Sequence, residues 1–199
     1  MDAQLRYLAL GDSYTIGESV LEKDRWPNQL AGLLGDNNSH RIETKIRATT
    51  GWRTDNLMNA ITIAILKEDY DLVSLLIGVN NQYQGKSVDQ YATEFEDLLK
   101  ISIRLAKGNK ENVFVVSIPD YGFTPFGTNN KEKISPAIDS FNEESKVICE
   151  NNNVKYIFIT DISREGIAKP ELVASDGLHP SGKMYSMWVE RIMKKIKLR

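Results

Sequence analysis

Residues 8–18, LALGDSYTIGE, carry an apolar run straight into Gly11, Asp12 and Ser13. A buried strand that stops on a small residue and two hydrogen-bonding ones is a turn, a phosphate cradle or the seat of a nucleophile. The cradle is the weakest of these, because the stretch has neither Gly-x-Gly-x-x-Gly spacing nor a Walker A lysine. It is not the Gly-x-Ser-x-Gly elbow either, since residue 15 is Thr.

Runs like the one before Gly11 recur along the chain. Short apolar, β-branched segments at Leu5–Leu10, Ile42–Ile46, Leu72–Ile77, Val113–Ile118 and Val154–Ile159 are too far apart for hairpins. Helical periodicity fills the gaps, over Pro27–Leu34, Thr54–Leu66, Val88–Ala106, Ile134–Glu150 and Ser181–Ile196. The alternation predicts an α/β domain, a three-layer α/β/α sandwich on a mostly parallel sheet of about five strands. LVSLLI and VFVVSI are nearly continuous in apolar residues, as strands covered on both faces require. With no repeat or linker-like tract, residues 1–199 are expected to form a single domain.

Composition narrows the partners. The 199 residues carry a formal net charge of -2, so the cationic footprint that neutralises nucleic-acid phosphates is missing, and no nucleic-acid partner is expected. No apolar run approaches membrane-spanning length, and no integral membrane association is expected. The start lacks a basic segment followed by a signal-like apolar one, which predicts a cytoplasmic protein if the chain is full length and an exported one if a signal peptide has been removed. The single cysteine, Cys149, lies in an apolar helical stretch and is read as core packing. Two histidines without ligand-like spacing predict neither a metal site nor a cofactor.

In parallel α/β sheets ligands bind at the carboxyl ends of the strands. That rule gathers GDSYTIGE, ATTGWRT, GVNNQY and SDGLHPSG on one edge. Ser13 becomes a nucleophile only if a base removes its proton. His40 precedes the second strand, at the wrong end of the sheet, and is read as a solvated loop residue. His179 falls on the correct edge, and Asp176, three residues earlier, can reach its other ring nitrogen. Asp161, at the end of the fifth strand, competes for that place, but the spacing favours Asp176. Gly51 and Asn80 are the candidate donors for an oxyanion, one through a backbone N–H, the other through an amide. Each of these motifs taken alone is also an ordinary turn or cap; their joint placement is what points to acyl transfer.

GDSYTIG, TTGWRT, IGVNN and DGLH together resemble the four blocks of the GDSL-type esterases of the SGNH hydrolase superfamily, from residue 8 to residue 182. The resemblance implies a flavodoxin-like sandwich and a serine hydrolase cleaving carboxylic esters through an acyl-enzyme. It implies the roles of nucleophile for Ser13, base for His179 and orienting acid for Asp176. It also implies an oxyanion hole of the Ser13 and Gly51 backbone N–H groups and the Asn80 side chain. The third block departs from the usual Gly-x-Asn-Asp in having Asn81, which removes a charge role at that position and leaves a hydrogen-bonding one. Expected substrates are small-molecule, lipid or sugar esters. Tyr14, Trp52 and Tyr83 are candidate pocket walls, and the loop over residues 121–133 is a candidate lid or fixed wall. Two rival functions are kept: a non-catalytic binding domain, and a phosphodiesterase, for which Arg53 is the available cation.

Overall fold

The computed structural model describes residues 4–38 and 41–196. Among these, five strands, β1 (Gln4–Gly11), β2 (Arg41–Ala48), β3 (Leu72–Leu76), β4 (Val113–Val116) and β5 (Lys155–Ile157), form one sheet in the order β2-β1-β3-β4-β5. Every neighbouring pair is parallel, with Tyr7 opposite Leu72 and Val73 opposite Val113. The strand order reverses between β1 and β3, and such a switch point opens a crevice beyond the strand ends.

Among the described residues eight α-helices connect and cover the sheet: α1 (Ser13–Ile16), α2 (Trp26–Asn38), α3 (Thr54–Ala64), α4 (Val79–Tyr83), α5 (Val88–Leu105), α6 (Lys131–Asn151), α7 (Thr160–Ser163) and α8 (Gly182–Met193). α2 packs with α8, and α5 packs with α3 and α6, which makes the two outer layers of the sandwich. Aromatics pack between the layers and within them. Trp26 of α2 meets Phe114 of β4 edge-on at 6.3 Å between centroids, and Tyr91 of α5 lies 4.7 Å from Phe141 of α6. β3 and β4 are buried throughout, as their unbroken apolar runs require, whereas edge strand β2 alternates and exposes charges. Buried Ser74 in β3 is satisfied by the Tyr7 hydroxyl at 2.8 Å.

The five expected strands and five long helices are all present, with different ends. β4 stops at Val116, because beyond it side chains replace the ladder: Asn142 Oδ1 accepts from the Ile118 N–H and Ser117 Oγ from the Ile159 N–H. The same network shortens β5. α3 ends at Ala64 where Ile65 turns left-handed (φ 45°). α6 begins at Lys131, a turn earlier than its apolar pattern, so part of the expected 121–133 loop is helical. The short helices α1, α4 and α7 have too few residues for periodicity to show. Cys149 is fully buried, and burial pushes its thiol up to about 12. Among the described residues no helix is long and apolar enough to cross a membrane. His40 and residues 197–199 lie outside the described residues.

Candidate active site

The turn that carries Ser13, the candidate nucleophile, is built by close approach. Gly11 ends β1 between Ala48 and Leu76, and a Cβ added there would lie 2.1 Å from Thr15 Oγ1 and 2.4 Å from the Leu76 carbonyl oxygen. Only a hydrogen fits, so the chain turns into α1 at once. Asp12 caps that turn, its Oδ1 accepting from the Tyr14 N–H at 3.0 Å. Ser13 is the first residue of α1 and is buried to 4% exposure. Burial raises the Asp12 carboxyl to about 7, against the lowering effect of hydrogen bonds from Tyr14 and Asn80.

The turn that carries Asp176 and His179, the candidate base turn, is local. Asp176 Oδ1 accepts from the backbone N–H groups of Leu178 and His179, both at 2.9 Å, while Oδ2 lies 2.6 Å from His179 Nδ1. A carboxylate only accepts, so Nδ1 carries the proton and Nε2 is left as the basic atom. Burial works to raise the Asp176 carboxyl, but donors from Ser19, His179 and Leu178 outweigh it and hold the group well below the usual carboxylate range. Tyr14 packs against the imidazole with ring centroids 5.2 Å apart. The turn is closed by a Val173–Pro180 bridge and runs into α8, which Ser181 caps through the Met184 N–H. Asp161 pairs instead with Arg191.

The other side of the site is assembled from distant segments. Gly51, at φ 83°, follows β2, and an added Cβ there would meet nothing within 4 Å. Asn80 lies in the first turn of α4; its Nδ2 donates to the Trp52 carbonyl at 3.1 Å and, at 3.4 Å, to Asp12 Oδ2. The longer of these is the easier to exchange for a new acceptor. Its neighbour is different. Asn81 is fully buried, its Oδ1 accepting from the Thr54 N–H at 3.1 Å and its Nδ2 donating to Thr54 Oγ1 at 2.6 Å. An aspartate would accept at both places. With an amide present, the Thr54 hydroxyl turns its proton to Glu94. The hydrogen-bonding role at position 81 is therefore filled at the start of α3.

Ser13, Gly51, Asn80 and His179 line one cavity of about 170 Å³, together with Tyr14, Thr50, Val79, Tyr83, Tyr121, Phe126 and Leu178. Of the expected aromatic walls, Tyr14 and Tyr83 belong to this lining and Trp52 does not; its ring lies under the Arg47 guanidinium, 5.8 Å away. Tyr121 and Phe126 come from the 121–133 segment. That segment is tied to the base turn by the Phe126 N–H, which donates to the Gly177 carbonyl at 3.0 Å. It is also folded tightly on itself, since a Cβ at Gly127 would lie 2.0 Å from the Tyr121 carbonyl oxygen. Thr50, Val79 and Leu178 were signalled only by standing beside Gly51, Asn80 and His179. Ser19, which donates to Asp176 Oδ2 at 2.7 Å, had no local signal at all. Among the described residues no group of three or more His, Cys, Asp or Glu side chains is gathered as a metal would need.

The model of the GDSL-like lipase/acylhydrolase family matches residues 9–187, a span that runs from β1 through the base turn into α8. The chain belongs to that family. It is accordingly an ester-bond hydrolase of the GDSL type, with the α/β sandwich of the SGNH hydrolases. No curated protein matches it significantly by sequence. Among solved structures, the acetylxylan esterase Axe2 from Geobacillus stearothermophilus superposes with a TM-score of 0.76 at 18% identity, covering 100% of this chain and 99% of that one. A G-D-S-L family protein from Veillonella parvula gives 0.74 at 16%, covering 97% and 98%. The psychrotrophic esterase EstA from Pseudoalteromonas sp., in a structure inhibited by monoethylphosphonate, gives 0.70 at 18%, covering 95% and 94%. At such identities the likeness establishes a shared fold.

Proposed function

We propose that this GDSL-family hydrolase cleaves uncharged carboxylic esters by a serine mechanism in which Ser13 is the nucleophile. Its hydroxyl oxygen attacks the acyl carbon as the proton passes to His179 Nε2. That proton then leaves with the alcohol. Water, deprotonated by the same nitrogen, releases the acid and restores Ser13, so ester and water become acid and alcohol. The observation that carries this reading is the 2.6 Å Asp176–His179 contact on the wall of the cavity that Ser13 also lines. The lowered Asp176 carboxyl is charged at neutral pH, so it holds Nδ1–H and stabilises the imidazolium formed during attack. The backbone N–H groups of Ser13 and Gly51 and the amide of Asn80 are the proposed oxyanion donors.

The lining contains aromatic and aliphatic side chains and no Lys or Arg, which favours a neutral acyl or alcohol group over a phosphate. Arg53, the cation a phosphodiesterase would need, is held by both oxygens of Asp55 at 3.0 and 2.7 Å and also bonds Gln84. The Axe2 and EstA names, both of esterases, agree with an ester substrate. The test is twofold. A fluorophosphonate probe should label the wild type and not Ser13→Ala, and p-nitrophenyl acetate should be turned over in preference to bis-p-nitrophenyl phosphate. An unlabelled, folded wild type would make the chain a binding domain, and a preference for the diester would make it a phosphodiesterase.

A further inference from the structure

Asp176 receives one donor that does not come from its own turn. Ser19 lies 157 positions away in sequence, and its hydroxyl reaches Oδ2, the same oxygen that bonds His179 Nδ1. Oδ1 is pinned by two backbone N–H groups, so Ser19 and the imidazole between them define the other end of the carboxylate plane.

The segment that presents Ser19 is hung from the nucleophile. The N–H groups of Gly17 and Glu18 both donate to the Ser13 carbonyl at 3.0 Å, closing α1, and the Glu18 carboxylate accepts from the Thr50 hydroxyl beside Gly51. Ser19 itself is held at φ 63°, a left-handed conformation that a serine pays for in strain. Residues 17–20 thus form a strap from the nucleophile turn to the Gly51 loop on one side and to the acid on the other.

We propose that Ser19 is a positioning residue of the active site, orienting the Asp176 carboxylate toward His179. This rests on the reading of Asp176 and His179 as the acid–base pair. By donating to Oδ2 the hydroxyl also neutralises part of the carboxylate charge, so it tempers how strongly Asp176 favours the imidazolium over the basic imidazole. Tyr14 of α1 and Tyr185 of α8 also feel the Asp176 charge, but burial keeps both phenols far above neutrality. Glu18 is the carboxylate on the strap itself.

Two variants separate the hydroxyl from the backbone. Ser19→Gly removes the donor and relieves the left-handed strain, whereas Ser19→Asn keeps a donor in a residue that tolerates that conformation. Ser19→Gly should melt no lower than wild type, lose about tenfold in kcat on p-nitrophenyl acetate with KM little changed, as loss of a supporting hydrogen bond typically costs, and move the acid limb of its kcat/KM profile to higher pH. Ser19→Asn should recover kcat and the wild-type limb. A wild-type kcat and pH profile in Ser19→Gly would overturn the proposal, and so would failure of Ser19→Asn to restore either. Asp176→Asn, measured in parallel, keeps the two readings apart. If it abolishes turnover while Ser19→Gly is silent, Ser19 alone is misassigned; if Asp176→Asn is itself silent, the acid–base pair is wrong.

Discussion

The two sides of the cavity are held by aspartates in opposite circumstances. On the base side Asp176 is partly exposed, has donors on both oxygens and sits well below its usual range. On the anion side Asp12 is fully buried, bonded by one backbone N–H and a 3.4 Å amide contact, and raised to about 7. Donors decide the first and burial the second. The base side is thus a preformed charge that orients a ring. The proposed anion side is a buried turn beside the Asn80 amide, where a carboxylate charge would compete with an oxyanion for the same donor.

The largest effect that would break this comparison is on the base side. Asp176→Asn replaces an acceptor by an amide that presents N–H groups to His179 and Ser19, which favours the wrong imidazole tautomer; turnover should fall by about 10⁴-fold. Asp161→Asn, which disturbs only a surface pair with Arg191, should leave kcat near wild type. Steady-state kinetics on the two purified proteins checks both, and the reverse order would move the acid to Asp161.

On the anion side the neighbouring asparagines should separate by type of damage. Asn80→Ala removes the proposed oxyanion donor, which would act on charge present only in the transition state, so kcat should fall by about 10²- to 10³-fold with little change in KM or melting temperature. Asn81→Ala instead leaves the Thr54 N–H without its buried acceptor and should cost about 1–3 kcal/mol of stability. Denaturant titration beside kinetics distinguishes the two. A stability loss confined to Asn80→Ala would exchange their roles.

The two aspartates should also differ in how they tie stability to pH. Because the folded Asp12 carboxyl titrates near 7 and an unfolded one near about 3.9, the folded chain holds that proton longer, and Asp12's contribution to stability declines as pH rises through that window. Asp176, lowered on folding, acts the other way: its contribution is present above the unfolded value and is lost as pH falls below it. Asp12→Asn keeps the acceptor for Tyr14 and should flatten the decline between about pH 4 and 7. Melting curves across that range, identical in slope for wild type and variant, would remove Asp12 as its source.

What the amino-acid sequence determined by itself is local or periodic. The apolar strands with intervening helices, Gly11 as the place where the chain must turn, and Asp176 three residues before His179 all rest on chain geometry within a few residues. The four motif blocks were legible for the same reason. Tertiary structure decided what depends on where the crossovers deliver distant loops. It set the strand order that opens the crevice beside β1 and β3, and the rotation of α4 that buries Asn81 while leaving Asn80 at the cavity. It turned Trp52 toward Arg47 and away from the lining, and brought Phe126 into it. It also brought Ser19 to Asp176 across 157 positions. Hydrophobic periodicity says which face of an element is buried, but a single polar side chain at a loop tip carries no period. Its partner is chosen by packing of the whole sandwich.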